Sequence, residues 1–447
     1  MLMPKEPLIS FIISVYNLEN YIGTCLNSII TQPFDDYEII LVNNNSTDGS
    51  DSICREYAAN CNKIRYFILT GDPVVGKAGI FGANEARGEY LQYVDGDDML
   101  FPGVYGEIAD ALQRNRPDIL FGQFCTFLSE DVINFIDTFF HPQRINGNRK
   151  EKILEYLTKR QPFILALWRL IVSKSLRKQF SLSPAPIEVS TNIHQDVYIS
   201  VQTFISATSF YYHNAPIYRY RVRSTSASRI GASKQFSECC EILLKLTHLM
   251  NYKAKSEQER GFVNVYIQQF YYQASSVICT LSKEQIGESS AVTEVFLKSF
   301  TQEREALMET EHIFPFIRAM ILDGAMVSVT RHQAYCVGII RQLVEQVSLK
   351  SGDIYLAPTG NVGLYIKSAI EVQGITISGF FDNDTRKNGI MIDRSLVCSP
   401  AVVQEIVRNI PVTIIVASRY KNVQDDLMEQ FISLGINRRD IYVLEFI

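Results

Sequence analysis

The chain has 447 residues, too many for one ordinary core, so two or three domains are expected. With 47% hydrophobic residues, 20% charged residues and a net charge of -5, it has the composition of a soluble globular protein and gives no electrostatic reason to expect a nucleic-acid partner. The N-terminal stretch lacks the pattern of a signal peptide, the longest apolar runs fall far short of the ~20 residues that span a bilayer, and the nine cysteines show no metal-ligand spacing, so a cytoplasmic chain with reduced thiols is expected.

Residues 8–15 form an apolar, β-branched run that predicts a buried strand, followed by a polar loop at 16–20. Ile22, Leu26, Ile29 and Ile30 then recur at helical spacing. A second strand is predicted over 38–42. It breaks into the polar cluster 43–49, which supplies turn residues and an N-cap for a helix carrying Ile53, Tyr57 and Ala58. A third strand over 64–69, a helix over 78–86 and a fourth strand over 90–94 complete the pattern. Strands alternating with helices imply right-handed crossovers and a mostly parallel sheet covered on both faces. Ligands collect at the carboxyl ends of such strands, where residues 43–48 and 95–98 lie.

From about Phe236 to Leu349 apolar residues recur at helical spacing, and no proline occurs between Pro216 and Pro315, so an all-helical segment is predicted. Alternation returns after Asp353, with strands expected over 354–357, 375–381 and 412–417, and helices from Val362, over 402–407 and over 423–434. The expected division is 1–232, 233–349 and 350–447, an α/β domain, a helical region and a small second α/β domain.

Asp95-Gly96-Asp97-Asp98 follows the fourth strand directly. Three carboxylates within four residues repel each other, and magnesium or manganese commonly joins one or two carboxylates to substrate phosphates. Such a site could neutralise a departing diphosphate. A plain acidic surface turn is the alternative.

The residues around this turn resemble the GT-A-fold glycosyltransferases of family 2. The resemblance rests on Val15-Tyr16-Asn17-Leu18-Glu19-Asn20-Tyr21-Ile22, Cys25-Leu26-Asn27-Ser28-Ile29, Gln32, Glu38-Ile39-Ile40-Leu41-Val42, Ser46-Thr47-Asp48 and the run from Gly88 to Asp98. It covers about residues 7 to 230. It implies that Asp97 and Asp95 bind a divalent cation, manganese or magnesium, that Asp95 also approaches the donor, and that Asp98 orients those two acids or the acceptor. It places Tyr16 and Glu19 at the nucleotide pocket, Asn17 as a turn former and Asp196 as the base that deprotonates the acceptor hydroxyl. Trp168 falls where a sugar-stacking residue is expected, although a sole tryptophan is equally a core residue. Tyr218-Arg219-Tyr220-Arg221-Val222-Arg223 matches a stretch that closes the site near the diphosphate, with the arginines on one strand face and Arg221 toward the phosphates.

Three departures stand out. Asn43-Asn44-Asn45 replaces the family's Asp-Asp-Gly, so the uracil-binding position, Asn44, is neutral but can still accept a hydrogen bond. Gly79 stands where the family often has arginine, leaving Lys77 as a point charge near the diphosphate. Gln195 replaces an acidic neighbour of Asp196, which removes a like charge.

The resemblance implies an inverting transferase that moves a sugar from a nucleotide sugar, a uridine diphosphate sugar by this reading, onto a saccharide or lipid-linked saccharide acceptor in bacterial surface polysaccharide assembly. No redox cofactor is expected. The aromatic run from Phe262 to Tyr272 reads as core or helix–helix contact, with a membrane-surface face and peripheral association as the alternative. Homo-oligomers could form through the helical or C-terminal region. Residues 354–363 resemble the first strand, glycine loop and helix of a Rossmann-type fold, with Pro358 at the position of the first glycine and Asp382 near that of a ribose-binding acid. Two other readings therefore stand: a non-catalytic sugar-nucleotide-binding or scaffold subunit, and a nucleotide-dependent sugar-modifying enzyme built on the C-terminal domain.

Overall fold

Strand β1 (Ile9–Val15) shows why the first sheet is buried on both faces, as a parallel sheet must be. Its alternate side chains point opposite ways: Phe11, Ile13 and Val15 join the larger core, and Ile12 joins a smaller one. The computed structural model describes residues 6–73, 76–129, 132–136, 150–159, 165–181, 195–221, 231–299, 315–384, 387–418 and 421–444.

Helix α1 (Ile22–Ile30), strand β2 (Tyr37–Asn43), helix α2 (Ser50–Asn60), strand β3 (Ile64–Ile68), helix α3 (Lys77–Glu85) and strand β4 (Tyr90–Asp95) follow in the expected order. β1 pairs in parallel with β2 and β4, and β2 with β3. The larger core takes Cys25, Leu26 and Ile29 of α1. On the opposite face α3 packs so closely that a Cβ on Gly82 would sit 2.5 Å from Ile12 Cγ2.

The sheet continues through β5 (Met99–Leu100), helix α4 (Tyr105–Asn115), β6 (Ile119–Ser129), β7 (Val132–Ile136), helix α5 (Lys150–Lys159), β8 (Leu170–Ser173), helix α6 (Lys174–Ser181), helix α7 (Gln195–Ser206) and β9 (Phe210–Arg221). The strand order is β3-β2-β1-β4-β8-β6-β9-β5, with β7 on β6. β8 runs antiparallel to β4, and β5 antiparallel to β9, so β9 is brought beside the turn after β4.

Contacts divide the chain into two units, residues 1–229 with 253–262, and residues 230–252 with 263–447. The second unit holds helices α8 (Ala232–Tyr252), most of α9 (Glu257–Ile278), α10 (Lys283–Ser299), α11 (Pro315–Asp323) and α12 (Ala325–Ser348). There α8 packs on α10, and α12 on both α10 and α11. After them come β10 (Asp353–Ala357), helix α13 (Asn361–Glu371), β11 (Gly379–Phe381), β12 (Met391–Ile392), β13 (Ser395–Cys398), helix α14 (Val403–Val407), β14 (Val412–Val416), helix α15 (Lys421–Ser433) and β15 (Ile441–Val443). Their sheet runs β12-β13-β11-β10-β14-β15, parallel except for the β12–β13 hairpin. The order reverses between β10 and β14, as in a Rossmann-type sheet. The architecture is thus a GT-A-like α/β domain, a helical middle and a small Rossmann-like sheet.

All nine cysteines are described and none is in a disulfide. Among the described residues no helix is long and apolar enough to cross a membrane.

Candidate functional site

Strand β4 ends at Asp95, and the chain turns back at once, with the Asp98 N–H donating to the Asp95 carbonyl at 2.9 Å. Gly96 makes that turn possible. A Cβ there would meet the Ser14 carbonyl oxygen at 2.9 Å and Leu18 Cδ1 at 2.8 Å, so a larger residue would lift the turn off β1. The Asp95 side chain is exposed and that of Asp97 half-buried.

Asp98 departs from the acceptor-facing side of its expectation. It is 1% exposed. Its Oδ2 accepts from the Tyr218 hydroxyl at 2.9 Å and its Oδ1 from the Arg221 N–H at 2.7 Å. Burial, then the charges of Asp95 and Asp97, push its carboxyl well above the usual range, against those two hydrogen bonds. An enclosed carboxylate with both oxygens engaged ties β9 to the turn and has no face for an acceptor.

Arg221 grips the same turn. Its Nε donates to the Asp97 carbonyl at 2.7 Å, and its guanidinium lies over the rings of Phe127 and Tyr21. Arg219 shares that strand face, over Phe127, and is buried; Arg223 lies outside the described residues. Trp168 is 8% exposed, stacks on Tyr218 with centroids 4.6 Å apart and on Tyr220, and meets Phe124 edge-on. It is a member of the core, which corrects the sugar-stacking expectation.

The first two loops are laced together beside this turn. The Asn17 N–H donates to Ser46 Oγ, its Oδ1 accepts from the Thr47 N–H at 2.8 Å, and its backbone is left-handed at φ +52°. The Leu18 N–H donates to Ser50 Oγ. Glu19 Oε2 accepts from the Gly49 N–H at 2.7 Å, while its own N–H donates to Asp48. Glu19 therefore spends one carboxylate oxygen on holding the second loop. Gly49 is the N-cap of α2 and has no side chain to offer; Asp48 Oδ1 accepts from the Ser50 N–H in its place. Tyr16 stands 46% exposed over this pair of loops. Asn44 is buried, its N–H donating to the Val15 carbonyl, and Asn43 bridges Tyr66 and the Ser46 N–H. Lys77, half-buried at the start of α3, donates to the Thr70 carbonyl at 3.2 Å.

Asp196 lies in the first turn of α7, its Oδ1 accepting from the Val197 N–H at 2.8 Å. Burial raises its carboxyl to about 6 despite that hydrogen bond. Helix α7 packs on the single turn Leu167–Arg169, which packs on β4. His194 lies outside the described residues.

Sequence reasoning missed the supports beneath the turn. Gln92, wholly buried in β4, accepts from the Tyr105 hydroxyl at 2.7 Å and donates to the Trp168 carbonyl. The signal for Tyr218 was present, since it opens the stretch whose arginines drew attention.

In the C-terminal sheet, Asp382 Oδ2 accepts from the Thr359 N–H, the Thr359 hydroxyl and Lys387 Nζ, and Oδ1 from the Asp384 N–H. Burial alone would raise this carboxyl, yet Lys387 and Thr359 hold it below the usual range.

Residues 10–178 match Glycosyl transferase family 2. The glycosyltransferase GlyA of Streptococcus pneumoniae serotype 4 is 26% identical over 230 residues, 51% of this chain and 32% of that protein. GlyG of the same organism is 25% identical over 231 residues, 50% of this chain and 73% of that protein. The structure of S. aureus TarS 1–349 in complex with UDP-GlcNAc superposes with a TM-score of 0.52 at 17% identity, over 75% of this chain and 92% of that one, a likeness of fold. Residues 10–178, within the N-terminal α/β unit, thus carry a glycosyl transferase family 2 domain.

Proposed function

We propose that the protein is an inverting glycosyltransferase that moves a sugar from a nucleoside diphosphate sugar, taken as a uridine one, onto a saccharide hydroxyl in cell-surface polymer assembly. The observation that carries this reading is the acidic turn at the carboxyl end of β4, pinned from below so that Asp95 and Asp97 stand at the loop cluster of Tyr16 and Glu19. The family 2 match over residues 10–178 and the similarity to GlyA and GlyG support the same class.

Asp95 and Asp97 offer two carboxylates, and among the described residues no third Asp, Glu, His or Cys converges on them. Two carboxylates completed by phosphate oxygens suit manganese or magnesium, so these residues fit the expected cation. When bound there, it neutralises charge on the departing diphosphate.

The chain's own residues do the rest. Asp196 takes the proton of the acceptor hydroxyl as that oxygen attacks the anomeric carbon. The bond from that carbon to the diphosphate oxygen breaks, the nucleoside diphosphate leaves, and the anomeric configuration inverts. The desolvation that raises the Asp196 carboxyl to about 6 makes it a stronger base than an ordinary aspartate. Tyr16 supplies an exposed ring for the nucleotide base, Lys77 a cation on the diphosphate side, and buried Asn44 shapes the floor of the base pocket. The C-terminal sheet has a structural or interaction role, because Asp382, at the position of a ribose-binding acid, is already satisfied by protein donors.

Thermal shift against UDP-, GDP-, dTDP- and CMP-sugars, with and without manganese, tests the donor assignment. Stabilisation by the uridine donor and metal together supports it; no response to any donor removes the reading. Asp97→Ala and Asp196→Ala are each expected to abolish transfer with the fold retained.

A further inference from the structure

Tyr218 is 0% exposed, so it touches no substrate. Its hydroxyl nevertheless bonds both ends of the acidic turn, accepting from the Asp95 N–H at 3.0 Å and donating to Asp98 Oδ2 at 2.9 Å. Asp98 then receives the Arg221 N–H, and Arg221 Nε closes on the Asp97 carbonyl. Four hydrogen bonds thus join β9 to three of the four residues of the turn, Asp95, Asp97 and Asp98.

We propose that Tyr218 is a positioning residue whose hydroxyl, acting through Asp98, holds Asp95 and Asp97 in register to receive the metal–diphosphate group. The inference rests on the function proposed above. Two features of the structure argue for it over simple packing. The Tyr218 ring already has its packing partner in Trp168, 4.6 Å away and 19° from parallel, and that contact needs no hydroxyl. The Asp98 carboxylate is enclosed at 1% exposure, and such a group is retained only when donors satisfy it. Turn and strand are 120 residues apart in sequence, so nothing local holds them together. Without the hydroxyl the Asp95 N–H and Asp98 Oδ2 both lose their partner, and the turn relaxes toward conformations in which Asp95 and Asp97 diverge. A site that must be assembled from several conformations binds more weakly by the fraction that is competent.

The test is thermal shift and calorimetry of the full chain titrated with manganese and UDP or GDP, whichever stabilises the wild type. Tyr218→Phe keeps the stacked ring. It is expected to need on the order of tenfold more manganese for half-saturation, the effect of one hydrogen bond to a charged group. Ile217→Val, which trims a wholly buried neighbour on β9, is expected to lower the melting temperature and leave the manganese requirement unchanged. Asp98→Asn is expected to behave as Tyr218→Phe does, and it decides the matter if Tyr218→Phe fails to fold. A wild type that ignores manganese and nucleotide sinks the proposed function. A wild type that responds while Tyr218→Phe, or Asp98→Asn in its place, shows the same half-saturation overturns the role of Tyr218 and leaves the function standing.

Discussion

Burial raises the Asp196 carboxyl to about 6, and two pH dependences follow from that one number. A general base must be ionised, so transfer is expected to rise as pH increases through about 6 and to level off above it; a kcat/KM profile flat from pH 5 to 8 would contradict the assignment. Stability runs the other way. The unfolded aspartate titrates near 3.9, so between about 4 and 6 the folded chain holds the extra proton, and folding free energy falls as pH rises through that window. Asp196→Asn removes this penalty and is expected to be more stable than the wild type at pH 8, by on the order of 2 kcal/mol, while losing transfer. Melting curves at pH 4 and pH 8 check it. Glu38 is a contrast among buried acids. It accepts from the Ser10 hydroxyl at 2.7 Å, the Arg87 N–H at 2.6 Å and Arg65 at 3.3 Å, at the amino ends of β1 and β2, away from the loop cluster. Glu38→Ala takes the acceptor from the Ser10 hydroxyl and the Arg87 N–H, while Arg65 keeps Glu85, and is expected to cost about 3 kcal/mol with donor affinity unchanged. In the sequence, Glu38 was part of the family pattern, but nothing local separates a carboxylate that holds strands from one that meets substrate.

The close seat of α3 on the sheet makes Gly82 the element-scale test. A Cβ would lie 2.5 Å from Ile12 Cγ2 and 3.5 Å from Ile40 and Val42, so Gly82→Ala must push the helix outward. Overpacking of this kind costs about 1 to 3 kcal/mol, measured as a lower denaturation midpoint with an unchanged slope. Elements with several apolar residues in period were largely readable: β1 to β4 and α1 to α3 lie where the pattern places them, with ends shifted by a residue or so, and the long helices fill the region expected to be helical, although β6 was not read. Short strands were not. β5 and β12 have two residues each and β15 three, too few to show any period, and they exist because a neighbouring strand offers partners. The strand expected over 375–381 shrinks to Gly379–Phe381, because only those residues find ladder partners, Tyr355 and Leu356 on one side and Leu396, Val397 and Cys398 on the other.

At the scale of the whole molecule, nucleotide and manganese are expected to slow amide exchange around β1, β2 and the turn after β4 and to leave the β10–β15 sheet unchanged. NAD is expected to protect neither. Protection centred on the loop after β10 would instead move the activity to the C-terminal domain. The division at 232 and 349 is itself a proposal, and limited proteolysis that cuts elsewhere first would revise it.

The sequence by itself determined the α/β alternation, the helical middle, the second small sheet and the presence of an acidic turn at a strand end, because each is written in neighbouring residues as a period or a cluster. Only the tertiary structure decided which of these side chains are enclosed and which partners they take. Asp98 turned inward, Trp168 became core, Glu19 closed a loop and Tyr218 became a strut. Each of these roles depends on a partner across the sheet or in another loop, up to 123 residues away, and a local pattern carries no record of such distant pairing.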